Sequence, residues 1–329
     1  STPQSTLFPY TTLFRSYFGT LPSYFNLWLK SAEFNSGIDF LFYSDCDTEK
    51  FEPLPRNVKF FKTSFNRLKE RFQKHFDFPI VLETPYKFCD YKPAYGYVFW
   101  DDIRQYDYWG HVDIDAILGD IEKFLPNDDY DKIYQFGHLC IYKNTEENNK
   151  RFMLEGGQYY KDVFTTSKIT IFDELVGMQK KFDLLGIPTY KSRDFADITK
   201  RSHRLAITGI GLTDEEKKKI NYDNQIFYYQ DGRVFRDFFI NGERHTEEFS
   251  YIHFSSRKMA DYTNGCDNFY VAIGGFYPKN EETTLDTIKR LNPLSPFKDW
   301  LVNVKFDIEA FKRKCHKLRL LIKERKWVK

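Results

Sequence analysis

The sequence predicts an α/β fold in which helices flank a mixed sheet, with an antiparallel β-meander insertion and a basic C-terminal helix. Three observations support this prediction. Between residues 17 and 143, apolar runs of strand length alternate with segments of helical spacing. The dipeptides Asp231-Gly232 and Asn241-Gly242 separate aromatic runs within residues 225–254, which is typical of tight hairpins. Residues 307–329 place apolar side chains on one helical stripe among many basic residues.

The first half of the chain is expected to begin with repeated helices and strands. Helices are predicted over residues 23–33 and 64–75, and strands over residues 38–43 and 57–61. The first of these strands stops at a polar segment that contains Asp45. Because open α/β sheets bind ligands at the carboxyl ends of their strands, Asp45 is a candidate binding residue.

A later strand is predicted to end in two further acids. Lys92-Pro93 is expected to open a helix over residues 94–104, since proline is tolerated in the first helical turn. Residues 106–114 then have strand character, so Asp113 and Asp115 are predicted to lie at a strand terminus. Further predictions are a strand over residues 133–142, a polar loop between two halves over residues 144–150, and a strand passing into a helix over residues 169–180.

The composition limits the classes of protein to which this chain can belong. A formal net charge of +2 over 329 residues argues against a chain-wide nucleic-acid surface. The five cysteines include no Cys-x-x-Cys pair, so neither a disulfide framework nor a zinc site is indicated, and a reducing cytoplasm is expected. Aromatic residues form 19% of the chain and fit either sugar and base binding or core filling. No run approaches the ~20 apolar residues that cross a bilayer.

The start of the chain differs in character from the rest. Its residues repeat the pattern Ser/Thr-Leu-Phe and lack the organisation of the segments that follow. We therefore expect residues 1–16 to be a non-native leader that lies outside the fold. This expectation also implies that the leader stands where a first strand of the sheet would otherwise be.

The acids Asp113 and Asp115 lie in the segment YWGHVDIDAILGD, residues 108–120. Side chains two positions apart on an extended segment point the same way. A hard divalent cation takes such oxygen ligands and leaves positions open for the phosphate oxygens of a nucleotide. Most Asp-x-Asp triplets lie on solvated loops or caps, but this pair follows an apolar strand. Phosphatases with an aspartyl nucleophile require a threonine where this chain has Ile117, which favours a metal clamp over a carboxylate nucleophile.

His253 is predicted to end the last strand of the meander. A lone strand histidine is otherwise a satisfied core or surface residue. Here Arg257 and Lys258 follow it, and both could neutralise a diphosphate. An imidazole beside the carboxylates of Asp113 and Asp115 would give a three-ligand site for Mn²⁺, which accepts mixed nitrogen and oxygen ligands.

Four segments carry a resemblance to a known family. They are YFGTLPSYF at residues 17–25, KPAYG at 92–96, YWGHVDIDAILGDI at 108–121 and HFSSRKM at 253–259. Together they resemble an uncharacterised bacterial family of GT-A-type glycosyltransferases associated with the synthesis of surface polysaccharide, whether capsular, lipopolysaccharide or exopolysaccharide. The resemblance extends from about residue 17 to residue 259.

The resemblance implies a nucleotide-sugar-binding, GT-A-like catalytic domain over residues 17–260. Its nucleotide-sugar half would cover about 17–143, its acceptor half about 151–260, and a C-terminal extension 261–329. The resemblance further implies that Asp113 and Asp115 hold Mn²⁺ or Mg²⁺ on the donor's diphosphate. By the same resemblance His253 completes the metal shell, and Asp45 lies near the nucleoside.

Five further residues are candidates with open alternatives. Lys92 is predicted to contact the donor phosphate or sugar, or else to be solvated at a helix start, and Asp90 to contact the ribose or donor sugar. His138 either approaches the acceptor or is a buried strand histidine. Asp173 and Glu174 are either acids favoured by a helix dipole or catalytic carboxylates that deprotonate the acceptor hydroxyl.

The function predicted from the sequence is metal-dependent transfer of a sugar from a nucleotide-diphosphate sugar to a glycan or lipid-linked glycan acceptor. Two alternatives remain open: a nucleotidyltransferase or phosphohydrolase with the same acid pair, and a non-catalytic carbohydrate-binding protein. No nucleic-acid partner is expected. The expected location is the cytoplasm, where the basic C-terminal helix either packs on the domain or contacts anionic lipid at the inner face of the membrane.

Overall fold

The computed structural model describes residues 10–326, with side chains described as far as residue 315. The chain divides into two compact units. The first contains residues 10–196 with two later segments, Gly232–Val234 and Phe249–His253. The second contains Asp197–Asp231, Phe235–Glu248 and residues 254–326. This division differs from the predicted one, in which a loop at residues 144–150 separates two halves and an extension begins at residue 261.

Strands of the first unit form its central sheet and part of its candidate site. They are β1 (Thr11–Tyr17), β2 (Ile38–Ser44), β3 (Val58–Lys62), β4 (Tyr108–Val112), β5 (Ala116–Leu118), β6 (Lys132–Ile133), β7 (Leu139–Lys143) and β8 (Thr189–Tyr190), with β9 (Ala196–Asp197) at the unit boundary. In the described part of the chain, seven of them form one sheet in the order β3-β2-β1-β4-β7-β6-β8.

The sheet is mixed. Strand β1 pairs in parallel with β2 and β4, and β2 pairs in parallel with β3. Strand β7 runs antiparallel to β4 and β6, whereas β8 is parallel to β6. The chain thus builds β2 and β3 on one side of β1 and then crosses to place β4 on the other side. A change of direction of this kind leaves a crevice beyond the carboxyl ends of the two strands that flank it.

The first strand corrects the expectation about residues 1–16. Residues Thr11–Tyr17 form β1 at the centre of the sheet, with Leu13 and Phe14 fully buried. Four consecutive fully buried residues, Thr11 to Phe14, and two flanking parallel partners fix this segment in the fold. The expectation that it lies outside the fold is therefore wrong for Thr11 to Ser16.

Helices flank both faces of the sheet in the first unit. They are α1 (Phe25–Glu33), α2 (Phe65–Gln73), α3 (Tyr95–Val98), α4 (Trp100–Ile103), α5 (Glu146–Lys150), α6 (Tyr160–Phe164) and α7 (Lys180–Leu184). Short 3-10 turns cover Glu49–Phe51, Pro85–Ala94, Glu122–Phe124 and Arg151–Met153, and a π-helical turn covers Leu175–Gln179. Two aromatic-rich clusters fill the space between these helices and the sheet. The predicted α/β fold with a mixed sheet flanked by helices is confirmed.

Several predicted elements differ in detail. Pro93 lies near the end of a 3-10 segment rather than in the first turn of an α-helix. The long helix predicted after it is divided into α3 and α4. The predicted strand over 133–142 is divided into β6 and β7 by a turn. The predicted loop at 144–150 contains α5, whose Asn148 and Asn149 are buried. Residues 169–180 contain no strand and instead lead into the π-helical turn.

The second unit contains the meander and most of the chain's end. Its elements are α8 (Asp214–Lys217), β10 (Gln225–Gln230), β11 (Arg233–Ile240), β12 (Glu243–Phe249), β13 (Tyr251–His253, which belongs to the first unit), β14 (Ala260–Asp261), β15 (Phe269–Ala272), β16 (Gly275–Pro278), α9 (Leu285–Leu291) and α10 (Pro296–Lys326). Among the described residues a six-stranded sheet has the order β12-β11-β10-β15-β16-β14. Residues beyond 260 therefore complete this sheet rather than extend from it.

The two predicted hairpin turns are confirmed. Asp231 and Gly232 have positive φ angles of 51° and 81°, and Asn241 and Gly242 have 51° and 87°. Two such residues in succession form the type I′ turn whose twist matches that of the flanking strands. The predicted third strand of the meander is shorter than expected: β12 ends at Phe249, and His253 lies on the separate strand β13. Within the described part of the chain, no helix is both long enough and apolar enough to span a membrane.

Candidate metal centre and neighbouring carboxylates

The predicted acid pair lies between two strands of the first unit. Asp113 directly follows β4, and Asp115 directly precedes β5. The backbone N–H of Asp113 donates to the carbonyl of His138 at 2.8 Å, which fixes the chain as it leaves β4. Because β4 lies beside β1, where the strand order changes direction, Asp113 stands at the sheet edge where open α/β sheets bind their ligands.

His253 reaches the acid pair through strand pairing. Strand β13 runs antiparallel to β5, and His253 is opposite Ala116, the residue after Asp115. Its Nε2 atom consequently lies 3.5 Å from Oδ2 of Asp115. One ligand atom from each of Asp113, Asp115 and His253 lies within 4.8 Å of the other two. The prediction that these three residues come together is confirmed.

This donor set fits a divalent cation. Two carboxylate oxygens and one imidazole nitrogen suit Mn²⁺, and carboxylate oxygens also suit Mg²⁺. Asp113 and Asp115 are partly exposed, so a cation and a bound ligand could both reach them. His138 stacks on His253 with ring centroids 4.5 Å apart, and Tyr251 shares a 2.9 Å hydrogen bond with Nδ1 of His138. His138 is buried and packs on the His253 ring, in agreement with the alternative of a buried histidine, and its contact with an acceptor stays a prediction.

Lys92 links the acid pair to a second group of carboxylates. Its Nζ donates to Oδ1 of Asp113 at 2.9 Å, to Oδ2 of Asp173 at 2.9 Å and to the carbonyl of Gly137 at 2.7 Å. An ammonium has three N–H donors, and all three are used here. The predicted contact of Lys92 with donor phosphate is therefore replaced by a buried bridge between two acids. Arg15 of β1 also contacts Asp113.

The charges at this site move the pKa values in opposite directions. Burial opposes ionisation of Asp113, but the Lys92 and Arg15 cations outweigh it and lower its pKa. Burial is the main cause that raises the pKa of Asp173 to about 7, and the nearby Glu174 and Asp113 carboxylates add to it against the opposing Lys92 ammonium. Burial also raises the pKa of Glu174. Asp113 is thus ionised for cation binding, while Asp173 and Glu174 keep their protons to a higher pH than ordinary carboxyl groups do.

Gly137 is a functional position that the sequence prediction missed. A Cβ atom on it would lie 2.5 Å from Oδ2 of Asp173 and 3.0 Å from Oε1 of Glu174, so a side chain here would displace the acids. Its carbonyl accepts from Lys92, and a hydrogen bond from its backbone favours the ionised form of Glu174. An isolated glycine inside an apolar strand pattern, as in Phe136-Gly137-His138, is a sequence feature that indicates close approach of another group.

Two strained residues precede the segments that form this site. Tyr134 has a φ of 64° and lies before Gly137, and Ile171 has a φ of 51° and lies before Asp173. Left-handed backbone is unfavourable for bulky and β-branched residues. Such conformations persist where the surrounding structure enforces them, and they cluster at functional sites.

Asp90 does not occupy the predicted position beside the donor. It is fully buried, and its carboxylate accepts from the backbone N–H groups of Thr170 and Phe172, each at 2.9 Å. Lys87 neutralises it at 2.7 Å. The prediction that Asp90 contacts ribose or sugar is wrong, because both oxygens are used to hold the segment that leads to Asp173.

A second group of possible ligands contains Cys89, Asp90 and Asp173. Burial raises the pKa of the Cys89 thiol to about 12, and a thiol is a softer ligand than Mg²⁺ or Mn²⁺ prefers. Asp90 is already paired with Lys87. The group around Asp113 is therefore the better candidate for a cation.

Three further residues were predicted to bind the donor. Arg257 belongs to the second unit, where its guanidinium donates to the carbonyls of Thr199 and Ser202, and its role as a diphosphate ligand stays a prediction. Lys258 is exposed in the second unit, and its role stays a prediction. Asp45 follows β2 at the same sheet edge as Asp113 and accepts from the N–H of Gly19 at 3.0 Å. Its contact with a nucleoside stays a prediction.

The comparisons with known proteins give a family for the chain. No curated protein matches the sequence. A model of one protein family matches a part of the chain that includes Asp113, Asp115, His253, Lys92 and the segment around Asp173. The model of the family of unknown function DUF6625 matches residues 13–280, more than half of the chain, and the chain therefore belongs to that family.

Proposed function

We propose that this chain is a metal-dependent glycosyltransferase of the GT-A type, which moves a sugar from a nucleotide-diphosphate sugar to a glycan or lipid-linked glycan. The observation that carries the proposal is the convergence of Asp113, Asp115 and His253 within 4.8 Å beside the point where the strand order changes direction. Nucleotides commonly bind at that point in open α/β sheets. Two further carboxylates, Asp173 and Glu174, lie on the same side of Gly137.

The three ligands are suited to the diphosphate of a donor. Mn²⁺ or Mg²⁺ held by Asp113, Asp115 and His253 would neutralise the charge that develops on the departing nucleoside diphosphate. The carboxylate of Asp113 is ionised across the neutral range because its pKa is lowered. Lys92 keeps that carboxylate in position and prevents repulsion between Asp113 and Asp173.

The acceptor requires a base, and Glu174 fits this role best. Its side chain is only partly buried, whereas Asp173 is 3% exposed and paired with Lys92. In the proposed step Glu174 takes the proton of the acceptor hydroxyl, and the hydroxyl oxygen forms a bond to the anomeric carbon. The bond between that carbon and the diphosphate oxygen breaks, and the nucleoside diphosphate carries away the electron pair. A pKa raised towards neutrality makes a carboxylate a more effective general base.

The biological setting rests on the resemblance of four sequence segments to bacterial enzymes of surface polysaccharide synthesis. That resemblance includes the segments that contain Asp113, Asp115 and His253. We propose that the acceptor is a growing surface glycan, free or lipid-linked, and that transfer takes place in the cytoplasm.

A panel of nucleotide-diphosphate sugars tests the proposed function. The protein is incubated with each donor, a glycan acceptor pool and Mn²⁺, and the products are identified by mass spectrometry. The proposal expects an intact nucleoside diphosphate together with an acceptor heavier by one sugar, and loss of both on addition of a chelator. Pyrophosphate as the product would instead identify a nucleotidyltransferase, and glycan binding that survives chelation without turnover would identify a binding protein.

Variants connect the products to the site. Asp115→Ala is expected to abolish turnover by removing a metal ligand, and Glu174→Gln by removing the base while keeping its shape. Asp162→Ala is the matched control, because Asp162 is an exposed acid on α6 outside the cluster. Full activity in Asp115→Ala and Glu174→Gln would refute the assignment of the site.

A further inference from the structure

The long helix α10 attaches to its unit through polar side chains. Oδ1 of Asp299 accepts from Oγ of Ser202 at 2.9 Å and from the backbone N–H of His203 at 2.5 Å. Four residues later, Nδ2 of Asn303 donates to the carbonyl of Arg201 at 3.0 Å. Four residues later again, the Asp307 carboxylate pairs with that arginine at 3.2 Å. A spacing of four residues places the three side chains on one helical stripe, which faces the loop at residues 199–204.

Five large apolar side chains of α10 lie on a different stripe and are exposed, whereas Phe306 packs under the Arg201 guanidinium. Phe297 is 68% exposed, Trp300 58%, Leu301 45%, Ile308 49% and Phe311 67%. Their spacing of three, four and seven residues puts them on one side of the helix, which we call the aromatic stripe. An amphipathic helix on a globular protein normally buries this side. Here the acids and the asparagine make the attachment, and the aromatic stripe remains uncovered.

Basic residues border the aromatic stripe. Lys298, Lys305 and Lys312 recur every seven residues, and all three are exposed. Residues 296–326 contain ten lysines and arginines against four acids. Two of those acids, Asp299 and Asp307, are used by the loop at residues 199–204. The exposed side of α10 is therefore both apolar and cationic.

We propose that α10 lies flat on a membrane surface rich in anionic lipid, with the aromatic stripe in the headgroup region and the lysines against lipid phosphates. Phe, Trp and Leu on one face beside Lys and Arg on another are typical of helices that lie in the membrane interface. A helix of this length extends about 45 Å along such a surface. Each basic residue near an anionic leaflet adds to the attraction.

The positive charge decides between a lipid surface and a second copy of this chain. Two copies that paired their aromatic stripes in antiparallel fashion would bring their rows of lysines together, because the row borders one side of the stripe along its length. Like charges at such a border repel. A parallel pair would place each row of lysines beside the side of the other helix that the loop at residues 199–204 already occupies. A lipid surface fits both features of the helix. Anionic headgroups attract the lysines, and the aromatic side chains favour the boundary between water and hydrocarbon.

Vesicle flotation with the full chain tests this proposal. Vesicles of phosphatidylcholine alone are compared with vesicles that also contain phosphatidylglycerol. We expect several-fold more protein to float with the anionic vesicles, and we expect added salt to reduce this fraction because it screens the lysines. Phe297→Glu with Phe311→Glu is expected to abolish flotation. The triple change Lys298→Glu, Lys305→Glu and Lys312→Glu is expected to remove the preference for anionic lipid.

Controls separate membrane contact from misfolding and from self-association. Leu184→Glu places the same charge on an exposed leucine of the first unit, 60% exposed, and is expected to float like the parent protein. Thermal melting checks that each variant is folded. Equal flotation of the parent and the Phe297/Phe311 variant would overturn the proposal. Failure of the parent protein to float with anionic vesicles would also overturn it. A third contrary result would be a dimer of the parent protein in analytical ultracentrifugation that Phe311→Glu dissociates without changing flotation.

Discussion

Lys92 places its ammonium 2.9 Å from Oδ1 of Asp113, although the two residues are separated by a helical segment and the whole of β4. The same ammonium lies 2.9 Å from Oδ2 of Asp173. One buried cation therefore connects a predicted metal ligand to a predicted catalytic acid. Changes at Lys92 should affect both the stability of the protein and its proposed chemistry.

Removal of the Lys92 charge is expected to destabilise the protein strongly. Lys92→Met leaves the carboxylates of Asp113 and Asp173 without their shared partner in a buried site. Loss of one member of a buried ion pair typically costs about 3–5 kcal/mol. Urea denaturation measures this loss. Lys150→Met, which removes a surface lysine paired with Glu146, is the matched control and is expected to change stability little. Equal midpoints for the two variants would contradict the bridging role of Lys92.

Manganese affinity is expected to depend on the three converging ligands. Asp115→Ala and His253→Ala should each weaken Mn²⁺ binding by about tenfold or more, equivalent to about 1.4 kcal/mol, because each removes one donor from the set. Isothermal titration in the presence of a nucleoside diphosphate measures the affinity. Asp162→Ala is expected to bind Mn²⁺ like the parent protein. Unchanged affinity in both ligand variants would place the metal elsewhere.

The contribution of Asp173 to the stability of the metal-free protein is expected to fall as the pH rises from 3.8 to about 7. The pKa of the Asp173 carboxyl is 3.8 without burial, and burial raises it to about 7 in the folded protein. Between these values the unfolded chain releases the proton while the folded chain keeps it, so rising pH favours unfolding. Asp173→Asn removes this contribution.

Thermal melting with a chelator at about pH 5 and about pH 8 measures this pH dependence. The melting temperature of Asp173→Asn should decrease less between the two values than that of the parent protein. Asp162→Asn is expected to keep the parent's decrease. The same decrease in all three proteins would show that Asp173 does not titrate in this window.

Gly137→Ala is expected to disturb both acids without changing any charge. The added Cβ would lie 2.5 Å from Oδ2 of Asp173, so the carboxylate or the turn has to move. Overpacking of this kind costs about 1–3 kcal/mol. We expect reduced stability together with a larger loss of the proposed activity than the stability change explains. Gln135→Ala, in the same turn, is the control, and equal effects of the two changes would contradict the role of Gly137.

Local patterns in the sequence predicted the parts of the fold that depend on neighbouring residues. Asp231-Gly232 and Asn241-Gly242 indicated their hairpins because few residues adopt two successive positive φ angles. The position of Asp113 at the end of β4 followed from the apolar strand before it. The start of α10 at Pro296 was missed, although Ser295-Pro296 is a typical helix start.

Contacts between distant segments could not be predicted from local patterns. Lys92 and Asp173 meet because Asp90 and Lys87 hold the segment around Thr170 against the 3-10 turn. The pattern around Asp90 gave no indication that both of its oxygens would be used in this way. The unusual composition of residues 1–16 likewise concealed β1, because pairing with β2 and β4 decides its place in the sheet.

The bridge formed by Lys92 also bears on the order in which substrates bind. The free site already contains its own counter-ion, so an incoming divalent cation meets a resident positive charge 2.9 Å from its first ligand. A diphosphate arriving with the cation would cancel that repulsion. We therefore expect the free protein to hold the ion weakly and the nucleotide to enter as its metal chelate, because Lys92 and Arg15 already neutralise Asp113.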